Sequence, residues 1–465
     1  MSPSTVARHE WRSVVRDRTF MATVGCLLVL LAAAFVSGRT MQREHERTRS
    51  AAQEESQRQW LTQGAKNPHS AAHFGVYAFR PLSSLALFEP GMHPFEGTSV
   101  YLEAHKANDL RDAPSEDASS LSRLGRPSAA SLLRTLLPLV VFLLTASAFA
   151  GERERGTLKL LVAQGASLRT LFAGKALALG VVVVAFLLLV AAVTALEGGG
   201  APLGARAAWL FVGYALYGFI ALFIGLSVSL AARTARGAFV ALFLVWAIEV
   251  LLAPRLATSV AVAAAPMPPA AAVRAELSRE LDREGDARRL DELRARTLAK
   301  YGVTSERELP VDFAGLALQA GEEHAYPIFD RHRDRLRARA AAEDAWLDGL
   351  SAIAPALALE RWSTALAGTD RAHVEHFADA AEGHRRELVE RMNLYVAEHG
   401  AGAGFGLVAN EEVWATVPAF GYTPPDVSFA TKRSWSALGV LAGWTALALV
   451  VAMFALSRSR AAVTS

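Results

Sequence analysis

The stretch GKALALGVVVVAFLLLVAAVTAL, residues 174–196, has one charged residue, Lys175, in 23 positions. A helix needs about 20 mostly apolar residues to cross the hydrocarbon core of a bilayer, so this stretch predicts a transmembrane helix. Five other runs have the length and apolar character of a membrane span: residues 20–38, 131–150, 207–231, 237–254 and 435–456. The sequence therefore predicts six membrane-spanning helices, with residues 174–196 as the third.

The composition agrees with a mixed architecture. Of the 465 residues, 52% are hydrophobic and 20% are charged, and the mean hydropathy is +0.23. The chain is too apolar for an ordinary soluble protein and too charged to lie entirely within a membrane. The net charge of +3 comes without a long basic block, so we expect a lipid bilayer and no nucleic acid as partner. A single cysteine, Cys26, excludes an intrachain disulfide.

Lysine and arginine residues near the span ends predict the orientation, because cytoplasmic loops carry an excess of both. With six spans, four basic clusters fall on one side of the membrane. They are Arg8, Arg12, Arg16 and Arg18; Arg153, Arg155, Lys159, Arg169 and Lys175; Arg233 and Arg236; and Arg458 and Arg460. This side is predicted to be the cytoplasm, and it contains both termini. Lys432 and Arg433, at the other end of the sixth span, are the exception.

The predicted class is an all-α membrane protein, in which six transmembrane helices carry a large, mainly helical extracytoplasmic domain. Residues 39–130 form a first extracytoplasmic segment, and residues 255–434 form the helical domain, since their apolar residues recur at helical spacing. The predicted cytoplasmic parts are an amphipathic N-terminal segment, a loop and a tail: residues 1–19, 151–173 and 457–465. The first span could alternatively be a cleaved signal peptide, but its length favours an uncleaved anchor.

The loop between the second and third spans has an ordered pattern, GERERGTLKLLVAQGASLR over residues 151–169. Acidic and basic residues alternate first, then Leu158, Leu161 and Val162 fall on one face of a short helix, and Gly165 breaks it. A short helix with an apolar ridge at a membrane face suits insertion into a groove on another protein. The alternative is a plain loop whose charges only keep the two spans apart.

This loop resembles the coupling helix of ABC transporter permeases of the type-2 export family, in a bacterial subgroup with an enlarged extracytoplasmic domain between spans five and six. The stretch HEWRSVVRDR, residues 9–18, is similar to the elbow helix of such permeases. Many members have proline in the break, where this chain has Gln164, Gly165 and Ala166. The resemblance places these residues against an ATPase subunit: Glu152, Glu154, Gly156, Thr157, Leu158, Leu161, Ser167, Arg169 and Lys175.

The resemblance implies the membrane-spanning permease subunit of an ATP-driven exporter in a bacterial inner membrane. A separate ATPase subunit would bind ATP and Mg²⁺, and this chain would hold no cofactor. The permease would pair with a second copy of itself or with a related permease, and its outer domain could bind a further partner. The sequence has no Gly-x-x-x-x-Gly-Lys-Ser/Thr motif, whose backbone N–H groups cradle phosphates, so the chain itself is not expected to be an enzyme.

Four residues outside this loop are further candidates. Glu249 lies in the fifth span, where an ionisable side chain marks a functional position unless it lies close enough to the span end to reach water. Pro138 is expected to kink the second span. His373 and His376 share one helix face and are weak candidates for metal ligands. A solvated face that happens to be rich in histidine explains them as well.

Two other classes of function remain open on the sequence alone. A membrane-anchored sensor or scaffold would use the extracytoplasmic domain to bind a ligand or a partner, and it would need no ATPase. A membrane metallohydrolase would use the histidine pair, although the sequence has no His-Glu-x-x-His motif. An ATPase subunit bound at residues 151–173 would distinguish the permease from both.

Overall fold

The computed structural model of the chain describes residues 2–116, 127–197, 204–283, 286–400 and 402–464. These residues are mainly helical, which confirms the predicted class. In chain order the α-helices are α1 (Pro3–Arg16), α2 (Arg18–Leu61), α3 (Pro68–Phe74), α4 (Ala129–Ala146), α5 (Ala150–Glu154), α6 (Thr157–Ala163), α7 (Leu168–Glu197), α8 (Gly204–Ala231), α9 (Ala235–Trp246), α10 (Ala253–Ala264), α11 (Ala270–Arg283), α12 (Asp286–Tyr301), α13 (Phe313–Ser351), α14 (Pro355–Ala367), α15 (Arg371–His399), α16 (Glu411–Trp414) and α17 (Val427–Thr464).

The strands are β1 (Val76–Phe79), β2 (Ser99–Glu103) and β3 (Lys106–Ala107). They form a small antiparallel sheet in the order β1-β2-β3, in which Val76 pairs with Leu102. The sequence did not predict this sheet, because strands of two to five residues are too short for a clear alternating pattern. The predicted segments also include residues 1, 117–126, 284–285, 401 and 465, which lie outside the described residues.

Six helical stretches among the described residues are long and apolar enough to cross a membrane. We call them the first to sixth spans: Arg18–Leu61, Ala129–Glu154, Leu168–Leu196, Gly204–Ala231, Ala235–Ala264 and Val427–Ser459. The fourth span is central, since it packs against the second, third and sixth spans. Several spans extend beyond the predicted ranges, because each helix continues past the end of its apolar run.

The second span is interrupted between α4 and α5. Ser229 of the fourth span accepts hydrogen bonds from the backbone N–H groups of Phe149 and Ala150, at 3.0 and 3.1 Å. Its hydroxyl group donates to the carbonyl oxygen of Ala146 at 2.8 Å. These bonds satisfy backbone groups that the interruption leaves without helical partners. The chain can therefore turn into residues 151–173 while it stays attached to the fourth span.

The first span continues far beyond its apolar part. α2 has 44 residues, and its second half is polar, as the helix-forming sequence after residue 38 indicates. Arg49 pairs with Glu46 and Arg58 with Glu55, each three residues apart, a spacing that stabilises a helix in water. The last turn places Trp60 in a hydrophobic core that is separate from the core of the helical bundle.

That core unites two polar segments in one domain, which we call the appended domain. The first polar segment is residues 39–116, and the second is the described residues of 270–351 and 368–423. Nε1 of Trp60 donates to the carbonyl oxygen of Trp414 at 2.9 Å, and the two rings lie 6.1 Å apart. Residues that are distant in the sequence therefore bury one another. The buried apolar residues of this core include Trp60, Val76 and Leu102 from the first segment and Phe377, Leu388 and Trp414 from the second.

Between α13 and α15 the chain returns to the spans. α14 packs between the fourth and sixth spans. Nε1 of Trp444, in the middle of the sixth span, donates to the carbonyl oxygen of Ala352 at 2.8 Å. Further along α14, Nε1 of Trp362 donates to the carbonyl oxygen of Trp209, near the start of the fourth span, at 2.9 Å. α14 therefore runs from the middle of the bundle towards the appended domain.

The sequence predicts that all of residues 255–434 belong to the extracytoplasmic domain. In the structure, α14 belongs to the same hydrophobic cluster as the spans, with Leu359, Trp362 and Leu366 buried. Its 13 residues are fewer than the roughly 20 that a span requires. A prediction based on the length of apolar runs therefore misses it.

Candidate functional site

Residues 151–173 join the second and third spans through two short helices. Gly156, with φ of +76°, separates α5 from α6, and Gly165, with φ of +86°, follows α6. Glycine suits this left-handed backbone because it has no Cβ. Ser167 then accepts a hydrogen bond from the N–H of Thr170 at 3.1 Å and caps α7. Both the short helix and the break that the sequence indicates are present.

Lys175, at the start of the third span, is the centre of a buried ion cluster. Its Nζ donates to Oε1 of Glu152 at 2.7 Å and to the carboxylate of Glu10 in α1. It also lies 5.5 Å from the ring centroid of Phe149. Only 2% of Lys175 is exposed, and a buried charge is tolerated when it is paired. Lys175 therefore ties α1, α5 and the third span together within the chain.

Two further side chains attach this segment to the spans that follow. Arg153 donates to the carbonyl oxygens of Leu230, at 2.7 Å, and Ala232, at the C-terminal end of the fourth span. Oε2 of Glu154 accepts a hydrogen bond from the N–H of Ala235, the first residue of the fifth span, at 3.2 Å. A cation at a helix C-terminus and an anion at an N-terminus both complement the helix dipole.

The exposed face of α6 determines what a partner subunit can touch. Leu158 is 2% exposed, and Leu161 is partly buried; both pack against the membrane core. Leu160, on another face, is 63% exposed. Leu160 is not among the residues predicted from the sequence, because the apolar ridge of Leu158 and Leu161 is expected there to face the partner. The sequence does contain a signal for Leu160: it is the leucine of α6 that does not share the helix face of Leu158 and Leu161.

The nine residues suggested by the family resemblance thus fall into three groups. Leu158 and Lys175 are buried, and any effect they have on a partner subunit is indirect. Glu152, Thr157 and Leu161 are partly buried, and Glu154, Gly156, Ser167 and Arg169 are exposed.

Pro138 and Glu249 lie on either side of Tyr217 and line the same cavity. Proline has no N–H, so the carbonyl oxygen of Arg134, four residues earlier, loses its helical partner. The hydroxyl group of Tyr217, in the fourth span, lies 3.1 Å from this oxygen and 3.2 Å from Oε2 of Glu249. The single hydroxyl hydrogen of Tyr217 serves both acceptors.

Glu249 lies in a π-helical turn, Ala247–Leu252, in the middle of the fifth span. Its Oε1 accepts a hydrogen bond from the backbone N–H of Ala356 at 2.5 Å. Ala356 is the second residue of α14, and the N-cap residue Ala354 makes no side-chain cap. Glu249 therefore caps α14 from the neighbouring helix, and it is held by protein rather than by water at a span end. π-Helical turns are frequent at functional sites.

A cavity of about 250 Å³ adjoins Glu249 between the second, fourth, fifth and sixth spans and α14. Its position halfway along the bundle makes it the candidate position for a translocated molecule. Its lining includes Pro138, Phe142, Tyr217, Trp246, Ile353 and Trp444.

His373 and His376 bind to different partners. Nδ1 of His373 pairs with Asp370, and its Nε2 lies 3.3 Å from Nη2 of Arg206. Nδ1 of His376 lies 3.0 Å from the hydroxyl oxygen of Tyr422. Among the described residues, neither belongs to a group with the spacing of a metal site. The weak interpretation of this pair as metal ligands finds no support in the geometry.

Comparison with protein families assigns both parts of the chain. Residues 115–252, which include the second, third and fourth spans and the 151–173 segment, match the family described as ABC-2 family transporter protein. The matched region, which is less than half of the chain, is similar to the ABC-2 transporter family. Residues 271–423 match a domain of unknown function, DUF3526. A search of curated proteins found no significant match to the chain.

This match, together with six apolar helices, supports a multi-pass permease component of an ABC transporter, a family whose permeases work with an ABC ATPase subunit. The matched DUF3526 range contains α14 together with most of the second polar segment. α14, the helix that packs among the spans, therefore lies within the DUF3526 range and outside the ABC-2 range.

Proposed function

We propose that this ABC-2 permease is the membrane-spanning subunit of an ATP-driven exporter in a bacterial inner membrane. Its basic clusters support a topology in which both termini and residues 151–173 lie in the cytoplasm and the appended domain lies outside. A separate ATPase subunit binds ATP and Mg²⁺ and docks on the exposed side of α6. The contact surface includes Leu160, Glu154 and Arg169, all of which are exposed.

The observation that supports this function best is the set of bonds between the 151–173 segment and the rest of the bundle. Glu152 reaches the third span through Lys175, Arg153 reaches the end of the fourth span, and Glu154 reaches the start of the fifth. A displacement of α6 by an ATPase subunit is thus transmitted to three spans at once. Energetic coupling between distant sites requires such a physically connected, movable element.

At the other end of this path, Glu249 and the start of α14 line the cavity between the spans. Glu249 is bonded to α14, so a shift of the fifth span relative to the fourth changes both the cap of α14 and the contact with Tyr217. We infer that this region alternates between a closed arrangement, as observed, and one open to the appended domain. Movement of a molecule in that direction is export.

A second permease, either an identical copy or a related chain, completes the transporter. The fifth span has the least buried surface of the six, and Leu244, Ile248 and Leu252 are exposed on it. Lipid or a second permease covers such a face, since exposed apolar surface of this extent is otherwise costly in water.

The test is purification of the tagged permease in mild detergent from cells that also express its neighbouring genes. Co-purifying proteins are identified by mass spectrometry, and ATP hydrolysis is measured in the eluate. We expect a stoichiometric ATPase with the wild type and its loss with Leu160→Asp. The matched control is Leu196→Asp, because Leu196 is 78% exposed at the opposite end of the third span.

If the wild type brings no ATPase in several detergents, or if both leucine variants retain it equally, docking at α6 is wrong. The alternative, a membrane-anchored sensor or scaffold whose appended domain binds a ligand or partner, then becomes the better description. An eluate that hydrolyses ATP without a second chain would contradict the assignment of this chain as a transport subunit without enzymatic activity.

A further inference from the structure

Three histidine side chains of the appended domain converge on one point. His69 and His73 are one helical turn apart on α3, and His105 lies at the turn between β2 and β3. Nε2 of His69 lies 3.2 Å from Nε2 of His73 and 3.3 Å from Nε2 of His105. His105 has φ of +64°, an uncommon value for a residue other than glycine. That backbone conformation directs its ring to the other two.

The hydrogen bonds behind two of these rings determine their tautomers. Nδ1 of His69 lies 2.8 Å from Oδ1 of Asn393, whose Nδ2 donates to Gln319 at 3.3 Å. Because Oδ1 is an acceptor only, Nδ1 of His69 carries the hydrogen and Nε2 carries a lone pair. Nδ1 of His105 lies 2.7 Å from Oε1 of the fully buried Glu322. By the same reasoning, the neutral form of His105 has its hydrogen on Nδ1 and a lone pair on Nε2.

Two lone pairs therefore face each other at 3.3 Å. A hydrogen on Nε2 of His73 can bond to His69, but it leaves the lone pair of His105 opposed to that of His69. A cation between the three nitrogens resolves this arrangement. Histidine ligands of metals almost always donate their other ring N–H to a carboxylate or carbonyl group, as His69 and His105 do here.

The spacing fits a small tetrahedral cation. Zinc–nitrogen bonds of 2.0–2.1 Å at tetrahedral angles place ligand nitrogens about 3.3 Å from one another. Two of the three separations have this value, and all three ligand atoms lie within 4.8 Å of one another. Three neutral imidazoles without a thiolate suit zinc, copper, iron or nickel rather than magnesium or calcium.

A carboxylate behind one of these rings also favours metal binding. Oε1 of Glu322 lies 2.7 Å from Nδ1 of His105, and a carboxylate in this position increases the basicity of the imidazole nitrogen that binds a metal.

We propose that His69, His73 and His105 bind one divalent transition-metal ion, typified by Zn²⁺, through their Nε2 atoms. His73 and His105 are exposed, so a fourth position on the metal is open to solvent. The ligands come from the first polar segment, whereas Glu322 and Asn393 belong to α13 and α15 of the second. The metal thus links the two segments. All three ligands precede both family-matched ranges, and the proposal is independent of ATP coupling.

The test measures Zn²⁺ bound to the full chain, purified in detergent with a tag that contains no histidine and stripped with a chelator. After addition of one equivalent of Zn²⁺ and desalting, we expect about one zinc per chain. Competition with a chromophoric chelator should show at least about 10-fold weaker binding for Glu322→Gln. For His73→Ala and His105→Ala we expect zinc retention to be lost. Co²⁺ in place of zinc should give the visible absorption of a tetrahedral site.

The matched control is His399→Ala, because His399 is exposed on α15 and lies outside the cluster. It should bind zinc as the wild type does. Zinc should also raise the unfolding temperature of the wild type and of His399→Ala, but not that of His73→Ala. A wild type that retains no zinc would overturn the proposal. Equal retention by the wild type and His73→Ala would do the same, since it would show only adventitious binding elsewhere.

Discussion

Arg134 in the second span, through its carbonyl oxygen, and Glu249 in the fifth span share one hydrogen-bond donor, the hydroxyl group of Tyr217. Pro138 acts through the carbonyl oxygen of Arg134, which it leaves without a helical partner. Glu249 contacts the hydroxyl directly and also binds the N–H of Ala356. Three spans and α14 therefore meet at one polar cluster.

Removal of the Glu249 carboxylate should destabilise the bundle. Glu249→Ala leaves the N–H of Ala356 without its acceptor, and a buried unsatisfied donor costs about 1–3 kcal/mol. Glu249→Gln keeps an acceptor oxygen in place, so we expect a smaller loss. The measurement is the thermal unfolding temperature of the purified permease in detergent. An Ala variant as stable as the wild type would show that Glu249 does not cap α14.

Lys175→Met should destabilise the bundle at the end that carries the 151–173 segment. The substitution leaves Glu10 and Glu152 close together without a cation, and breaking such a buried pair costs about 3 kcal/mol or more. The triple variant with Glu10→Gln and Glu152→Gln removes the unpaired charges and should recover most of the loss. Unfolding temperatures and trypsin cleavage within α1 report the effect. Identical behaviour of the single and triple variants would argue against the ion cluster.

Gly213→Ala should weaken the packing of α14 against the fourth span. A Cβ at Gly213 would lie 2.4 Å from a ring carbon of Trp362, a contact that requires the indole to move. Overpacking of this kind costs about 1–3 kcal/mol. Gly439→Ala in the sixth span is the matched control, because no atom lies within 4 Å of a Cβ there. Unfolding temperatures of the two variants should differ; equal values would place Trp362 elsewhere.

The stability of the appended domain should fall in mild acid because of His93. Burial, together with the positive charge of Arg80, lowers the pKa of His93 from 6.5 to about 3. The unfolded chain therefore takes up a proton below pH 6.5 that the folded chain refuses. The resulting loss is about 1.4 kcal/mol per pH unit until the folded pKa is reached. Between pH 7.5 and 5.0, the unfolding temperature of His93→Gln should fall by less than that of the wild type. An equal loss would contradict the pKa of His93.

The sequence predicted the features that depend on local composition. Apolar runs of sufficient length identified six spans, and the glycines around α6 identified a short helix followed by a break. Periodicity shows which residues share a helix face, but not which face other elements cover. Leu158 and Leu160 are therefore distinguished only when the packing of α6 is known.

The remaining features depend on contacts between distant residues. α14 is shorter than a membrane span, and its place in the bundle depends on its packing against the fourth and sixth spans. The partner of Lys175 in α1, Glu10, is 165 residues away, and Glu322 is 217 residues from His105. His69 and His73 stand four residues apart in the sequence, but His105 joins them only through the fold of the small sheet. No local pattern contains such relationships.

The uninterrupted length of α2 has a mechanical consequence. Its polar half, from Arg39 to Leu61, is about 35 Å long at 1.5 Å per residue, so a 10° tilt at the membrane moves its far end by about 6 Å. That end is fastened to the appended domain through Trp60, while Gln42 and His45 hold the loop beside it. α2 therefore connects the membrane to the appended domain as one continuous helix. A tilt of its apolar half displaces the part of the appended domain that is attached to its far end.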